Sequence, residues 1–455
     1  MSKKSSIQSF QQKSGLFWEE KAEALEVALA KNKIIAAEKK KLRLGKQGPQ
    51  HRLFEGDNLL GLKWLNQAKE KFDLIYIDPP YNTGSKEFKY NDRYVDEEDE
   101  LRHSKWISFM YKRLLEAKQL LTEDGVIFIS IDDYEQARLK LLCDGLFGQQ
   151  NFVANFIRKC KAGSGHDSRQ VAIEYDYVLC YAKEIDKLEF AKATVDVESD
   201  KKYRYSDEFV AKRGKYYLRD LDYRGSYSKS MDYVIEAPDG SKLKSGGKIG
   251  KPNTWRWNKA KFEWGLKNDF IEFKQRKEGW KVYIKQYQYV DNQDRKRVRK
   301  LPHRAMIDFS NAKGSNELKD ILPDEHFSYP KPTALIRFFL DLLDKKEAKV
   351  LDFFAGSGSS LHATMLQNQA DDGERSCTLI TNNENEICQK ITYPRNKKAI
   401  EGYKKRSGKK VKGLSDNQLR YFQLKLKDAW LAKHTLEKSR GDAGHEASFG
   451  TQFHR

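Results

Sequence analysis

The chain has 455 residues, a net charge of +19 and a pI near 9.3, with 39% hydrophobic residues and a mean hydropathy of −0.81. That length sustains two or three domains with real cores, no apolar run reaches the roughly 18 residues that a membrane-spanning helix needs, and the opening MSKKSSIQSF lacks the apolar centre of a secretory signal. Five cysteines, widely spread and without a CxxC pair, exclude a disulfide framework and a zinc site and read as reduced thiols of a cytosolic protein.

Residues 17–43 are rich in Ala, Leu, Glu and Lys and predict one helix, ended at Gly45, that packs on the core or serves a dimer. A short strand over 52–55 turns through Gly56-Asp57-Asn58 into a second helix. Asp57 thus stands at a strand end beside a helix N-terminus, which is a ligand position and also an ordinary N-cap; spacing alone favours the cap. Phe72, Leu74, Ile75, Tyr76 and Ile77 then form a short apolar run of β-formers, predicting a buried central strand. Asp78 falls at its carboxyl end. Pro79 and Pro80 cannot donate ladder hydrogen bonds and stop the strand, and Asn82-Thr83-Gly84 turns the chain away. Residues 85–100 read as a polar loop, a candidate lid. A helix over 101–121 follows, then a strand over 125–131, a helix over 134–147, a strand over 152–157, a glycine-rich basic loop over 159–169 and a strand over 175–181. Strands alternating with helices imply a mostly parallel sheet.

From about residue 185 the periodicity lapses. Residues 201–300 carry 27 Lys+Arg against 13 Asp+Glu, so +14 of the +19 lies there, with 18 of the 55 aromatic residues. Basic residues interleaved with aromatics read as a nucleic-acid surface, against the plainer reading of a solvated basic face. Arg256 and the run Arg295-Lys296-Arg297 are candidate phosphate contacts. Trp257, with Trp255 and Trp264, either faces DNA or builds the small core of this region, and the core is the simpler reading.

Order returns near residue 315, with a helix over 317–322 and another over 333–343. Lys331 precedes the second helix and is placed to hold an anion at its N-terminus, unless it is an ordinary surface lysine. In KVLDFFAGSGSSL (349–361) a strand ends near Asp352, a glycine turn follows and a helix begins. Gly356 and Gly358 let a ligand approach the backbone. Leu361 holds the third glycine position of G-x-G-x-x-G, so a dinucleotide phosphate site is not indicated. The next strand, 377–381, runs into Asn382-Asn383-Glu384, whose carboxylate can take ribose hydroxyls. A last helix is predicted over 417–438, before a tail.

The chemistry converges on Asp78. Its carboxylate and the Pro79 carbonyl are paired acceptors suited to both hydrogens of an exocyclic amino group, and Tyr81 can stack on a planar ring. A strand-closing Asp-Pro-Pro turn is the plain alternative; the full tetrapeptide behind a strand outweighs it.

Asp78-Pro79-Pro80-Tyr81 resembles the DPPY motif of amino-methyltransferases acting on DNA. The longer DPPYNTG resembles adenine-N6 methyltransferases, particularly the modification subunits of type III restriction systems and related type II enzymes. Phe354 to Gly358 resembles the FxGxG cofactor motif, with YPKP upstream. With DPPY preceding FxGxG, the chain resembles the β group of that family over about 50–185 and 315–405. The resemblance implies an α/β fold: a Rossmann-like, AdoMet-dependent methyltransferase sheet, circularly permuted, with an inserted target-recognition domain. It divides the chain into an N-terminal helical segment (1–48), a catalytic half (49–188), a target-recognition region (189–312), a cofactor half (313–408) and a C-terminal helix and tail (409–455). Asp78, Pro79, Pro80 and Tyr81 would be catalytic and Asn82 would lie near DNA. Asp352, Phe354, Ala355, Gly356, Ser357 and Gly358 would line the methionine part of S-adenosyl-L-methionine, with Lys331 near its carboxylate, Glu384 at the ribose and Asp57 near the adenine. The implied activity is methyl transfer to adenine N6 in double-stranded DNA, with base flipping, in a bacterial cytoplasm and without a metal. A second copy of the chain and a restriction subunit are further candidate partners. Methylation of cytosine N4, and a DNA-recognition subunit serving a nuclease or helicase, stay open as alternatives.

Overall fold

The computed structural model describes residues 16, 18, 21–30, 33–83, 101–161, 170–194, 198, 200–223, 225–246 and 254–426. The predicted lid (85–100) and most of the glycine-rich loop (159–169) lie outside them. Ten strands form one sheet: β1 (Ile34–Glu38), β2 (Gln50–Glu55), β3 (Phe72–Ile77), β4 (Leu121–Ile131), β5 (Phe152–Lys159), β6 (Tyr175–Ala182), β7 (Met306–Asp308), β8 (Lys349–Asp352), β9 (Ser376–Thr381) and β10 (Gln418–Leu426). Their order across the sheet is β1-β10-β2-β9-β8-β3-β4-β6-β5-β7. From β10 to β4 every neighbouring pair is parallel. β6 runs antiparallel to both β4 and β5, and β1 runs antiparallel to β10.

β3 shows why this sheet reads as continuous apolar runs. Side chains alternate across a strand, and both faces of β3 are covered. Ile75 and Ile77 enter one core, with Trp106, Met110 and Leu114 of the helix Arg102–Leu120. Leu74 and Tyr76 enter the opposite core, with Leu335, Ile336 and Phe339 of the helix Thr333–Leu343. A parallel strand buried on both faces has no polar side to show.

β8 comes late in the chain yet pairs directly with β3, Val350 opposite Leu74 and Leu351 opposite Ile75. From β8 the chain crosses through the helix Ser359–Asp371 to β9 on one side. From β3 it passes through Arg102–Leu120 to β4 on the other. The two connections diverge, leaving a crevice at the carboxyl ends of β3 and β8, where open α/β sheets bind ligands.

Two predicted helices are corrected. Among the described residues of 17–43, the α-helix covers Lys21–Leu29, Lys40–Leu42 form one 3-10 turn, and Ile34–Glu38 is an edge strand paired with β10. The β-branched pair Ile34-Ile35 and a free sheet edge outweigh the helix-forming composition. The segment predicted as a C-terminal helix contains β10 instead, a strand between β1 and β2 that buries Leu419, Tyr421 and Leu424. The large sheet therefore continues past residue 408.

Lys192–His303 form a second compact unit. Its centre is a three-stranded antiparallel sheet, Ile271–Arg276, Gly279–Tyr287 and Tyr216–Asp220, with the helix Lys259–Lys267. Trp255 and Trp257 are buried in its core with Phe262, Phe270 and Ile284, and Trp264 packs against the same cluster. The tryptophans thus follow the simpler reading, and Trp257 as an exposed DNA-facing ring is corrected: one pleated core needs these rings. Arg256 is half-buried, its Nε donating to the Asp220 carbonyl at 2.9 Å. Arg295 is exposed but paired with Asp291 at 2.8 Å, whereas the side chains of Lys296 and Arg297 are exposed.

Candidate functional site

The crevice between β3 and β8 opens into a cavity of about 460 Å³. Asp78, Pro79, Pro80 and Tyr81 line it from β3, and Asp352, Phe354, Ala355, Gly356 and Ser357 line it from β8 and its turn. Two motifs far apart in sequence thus face one space.

On the β3 side, Trp106 Nε1 donates to the Pro80 carbonyl at 2.8 Å and fixes the stiff turn to the helix behind it. Asn82 follows with a left-handed φ of +58°, and its side-chain amide donates to the fully buried Glu135 at 2.7 Å. Glu135 also meets His103 Nδ1 at 2.5 Å. Asn82 is 2% exposed, so it serves as an anchor beneath the motif rather than as an open surface for DNA. Its prediction as a DNA contact is corrected accordingly: asparagine tolerates this φ and its side chain is buried with its amide nitrogen held by Glu135.

Asp78 accepts a hydrogen bond from the Tyr81 hydroxyl at 2.8 Å. Lys331 Nζ lies 2.7 Å from each of its carboxylate oxygens and 3.0 Å from the Tyr81 hydroxyl. Burial and then the Asp78 charge push the Tyr81 phenol well above its ordinary range, so it remains a donor. The expected anion site beside Lys331 is corrected. The N-terminus of Thr333–Leu343 is already met by Glu317, which accepts from Thr333 N at 3.0 Å and from Thr333 Oγ1 at 3.1 Å. Lys331 points to Asp78 instead.

On the β8 side, Gly356 (φ +48°) and Gly358 (φ +76°) carry the turn. A Cβ on Gly358 would stand 2.4 Å from Asn396 Nδ2, so that glycine serves the turn's fit against the helix Tyr393–Glu401 and lies outside the cavity lining. Gly356 lies on the cavity side, where a Cβ would approach the Phe327 ring at 3.3 Å. Ser357 is held from behind by Arg395, which donates to Ser357 Oγ at 3.0 Å and to Ser359 Oγ at 2.7 Å. Asp352 is 3% exposed and accepts from Phe354 N at 3.0 Å and from Ser360 Oγ at 2.5 Å. Burial pushes its carboxyl up to about 7 against those two hydrogen bonds, and the Asp78 charge adds to the rise.

Across the sheet, β2, β9, β8 and β3 are successive neighbours. Their carboxyl ends therefore present Asp57, Glu384, Asp352 and Asp78 in that order. Asp57 caps its helix, accepting from Leu60 N at 3.2 Å, and its other oxygen takes Arg113 at 3.1 Å. Glu384 is exposed in the turn after β9. Neither lines the cavity. Beside Glu384, Asn382 Oδ1 is buried with no hydrogen-bond partner among the described residues. The set fits S-adenosyl-L-methionine: carboxylates and the Phe327, Phe354 and Tyr329 rings around the space suit a sulfonium cation, and an orphaned amide oxygen lies just past the end of the next strand.

Some of this machinery had no sequence signal. Arg158 is fully buried and forms a two-pronged pair with Asp176, a cavity-lining residue; its Nη1 donates to Asn311 at 2.9 Å. Its partner lies on another strand, β6, which no local pattern encodes. Glu135 stands just before the helix Gln136–Phe147 and Arg395 lies in the helix Tyr393–Glu401, and neither sits in a recognisable motif.

The profile of a family described as DNA methylase matches residues 72–392. The type III restriction-modification enzyme EcoPI Mod subunit of Escherichia phage P1 is 32% identical over 377 residues, covering 74% of this chain and 58% of that one. The StyLTI Mod subunit of Salmonella typhimurium is 33% identical over 373 residues, covering 75% of this chain and 55% of its own length. The type II methyltransferase M.KpnI of Klebsiella pneumoniae is 33% identical over 347 residues, covering 73% of this chain and 80% of that one. The chain spans a little over half the length of the two Mod subunits.

The raised carboxyl of Asp352 has a thermodynamic consequence. An unfolded aspartate titrates near about 3.9, so the folded state holds an extra proton between that pH and about 7. This contribution stabilises the fold at low pH and is lost as pH rises through 7. Asp352→Asn mimics the protonated form. In urea denaturation, the stability of the variant relative to the unsubstituted protein is expected to rise by about 4 kcal/mol between pH 4 and pH 8. A difference that stays constant with pH would contradict it.

Proposed function

This chain belongs to the DNA methylase family, whose profile it matches over residues 72–392, and from that premise we propose that it transfers a methyl group from S-adenosyl-L-methionine to the N6 amino group of adenine in duplex DNA. The observation that carries the proposal is the pairing of β3 with β8, which turns Asp78-Pro79-Pro80-Tyr81 and the glycine turn towards one cavity. Adenine, rather than the N4 position of cytosine, is supported by the likeness of DPPYNTG to adenine enzymes.

Phe354, Ala355, Gly356, Ser357 and Asp352 are proposed to hold the cofactor beside the reacting atoms, with Glu384 at its ribose and Asp57 near its adenine. Gly358 shapes the turn. When bound, the cofactor supplies an electrophilic methyl group. The chain supplies position and charge. The target base has to leave the helix stack, which costs a few kcal/mol, and Tyr81 recovers part of that by stacking on its face. Asp78 and the Pro79 carbonyl accept the two amino hydrogens, aim the nitrogen lone pair and stabilise positive charge as it develops there. The nitrogen's surplus proton then has the Asp78 carboxylate within reach. This mechanism uses no thiol, and all five cysteines are buried and free.

The second unit is proposed as the target reader, with Lys296 and Arg297 as phosphate contacts and Arg256 at the same surface. The Mod relatives support a place in a restriction-modification system, with a restriction subunit as partner, in the bacterial cytoplasm.

Two experiments test this. Methyl-labelled S-adenosyl-L-methionine is offered to unmethylated genomic DNA and the nucleosides are analysed. Label is expected in N6-methyladenine, with a loss of about a hundred- to thousandfold for Asp78→Ala while DNA affinity is retained, the loss seen when a single charge-stabilising group is removed from a site. Label in N4-methylcytosine would move the base, and an active Asp78→Ala enzyme would overturn the site. In DNA titrations at varied salt, replacing both Lys296 and Arg297 by Ala is expected to lower the slope of log K against log salt by about two. An unchanged slope would remove them from the DNA surface.

A further inference from the structure

If the site transfers a methyl group to a base, Asp78 must receive the base's amino group and Tyr81 its ring face. The first of these positions is occupied in the structure, by one side chain. Lys331 Nζ lies 2.7 Å from both Asp78 oxygens, 3.0 Å from the Tyr81 hydroxyl and 5.0 Å from the centre of the Tyr81 ring. It is an N–H donor on the carboxylate and a cation near the aromatic ring. The first is the contact assigned to the amino group of the target base; the second lies at the hydroxyl edge of Tyr81 rather than on its face. We infer that Lys331 is a built-in occupant of the base site, an ammonium standing where the exocyclic amino group must go, and that a flipped base has to displace it before methyl transfer. The inference rests on the function proposed above.

Three features make this more than an incidental ion pair. The Lys331 side chain is only 7% exposed, so its attraction to Asp78 is poorly screened by water. The backbone beneath it is clamped, with the Lys331 carbonyl accepting from Ser359 Oγ at 2.8 Å and Thr333 N bound to Glu317. The flexible four-carbon stem is therefore the part free to withdraw. Asp78 is the more open partner, its side chain 27% exposed, so an incoming donor meets the carboxylate from the cavity side.

The consequence is a threshold. While Lys331 sits on Asp78 the pair is neutral, and the carboxylate draws less charge from any other donor. A base's apparent affinity is reduced by the fraction of molecules in which the lysine has withdrawn. Weakly held bases are rejected, and a base held in place by the rest of the DNA interface gets through. The rival arrangement is a permanent pair, in which Lys331 orients Asp78 and the base uses the remaining lone pairs. The two arrangements predict opposite signs when the charge is removed.

The test uses the full chain without cofactor and a duplex bearing the target, located first by mapping the bases that the unsubstituted protein methylates. 2-Aminopurine immediately 5′ of the target base brightens when its neighbour leaves the stack. Lys331→Met is expected to raise the flipping equilibrium about tenfold, the worth of one hydrogen bond to a charged group. Lys331→Arg, whose fork can hold both Asp78 oxygens, is expected at or below the unsubstituted level. The gain in Lys331→Met should vanish when the target base lacks its amino group, which a general loosening of the fold would not achieve. Equal or weaker flipping by Lys331→Met, or a gain that persists without the amino group, would overturn the inference. Should Lys331→Met fail to fold, flipping by Lys331→Arg above the unsubstituted level would overturn it and flipping below would support it. Absence of methyl transfer by the unsubstituted protein would instead sink the proposed function, a separate readout.

Discussion

Two hydrogen-bonded strands, β3 and β8, bring together segments from early and late in the chain, and the rest of the site follows from their parallel pairing. Val350 opposite Leu74 and Leu351 opposite Ile75 set the register. A register is held firmly where both faces of a strand are buried, because a one-residue slip would turn every side chain into the wrong core. Here the slip would exchange Leu74 and Tyr76 with Ile75 and Ile77 between two filled layers. The same register fixes how far Asp78 stands from the glycine turn. Precision in the site is thus inherited from the core.

That arrangement creates an electrostatic problem. Parallel strands end together, so Asp352 and Asp78 come close, and the Asp78 charge raises the cost of ionising Asp352. The structure handles them differently. Asp352 is sealed away, hydrogen-bonded to Ser360 and the turn backbone, and its carboxyl rises to about 7. Asp78 stays more open and is neutralised by Lys331. A carboxylate kept charged needs a cation or water near it. On the inference drawn above, that cation also stands where the amino group of the target base would go, which would link the ground-state stability of the site to its readiness.

Much of this was legible in the sequence, for physical reasons. The β3 segment announced itself because a doubly buried strand must be apolar throughout and a Pro-Pro pair must end it. The turn after β8 did so because the backbone there takes φ values that glycine provides. The limits of Thr333–Leu343 matched the expectation, its apolar face being unbroken. The failures share a cause too. Residues 17–43 and 417–438 have helix-forming compositions, yet Ile34–Glu38 and Gln418–Leu426 are strands because each supplies the other's pairing partner. No local propensity encodes a neighbour nearly four hundred residues away. The same holds for Lys331. Its place beside a helix N-terminus suggested an anion, but Glu317 caps that helix from 16 residues upstream and the lysine finds Asp78 across a distance of 253 residues in sequence.

The central claim is that the carboxyl ends of β3 and β8 together form the place where the methyl donor meets its acceptor. Photo-crosslinking with methyl-labelled S-adenosyl-L-methionine, followed by peptide mapping, tests it most directly. The account predicts label in the peptides carrying Asp78 to Tyr81 or Asp352 to Ser357, suppressed by excess unlabelled cofactor. Specific label confined to peptides of the second unit, or to strands away from that crevice, would contradict it.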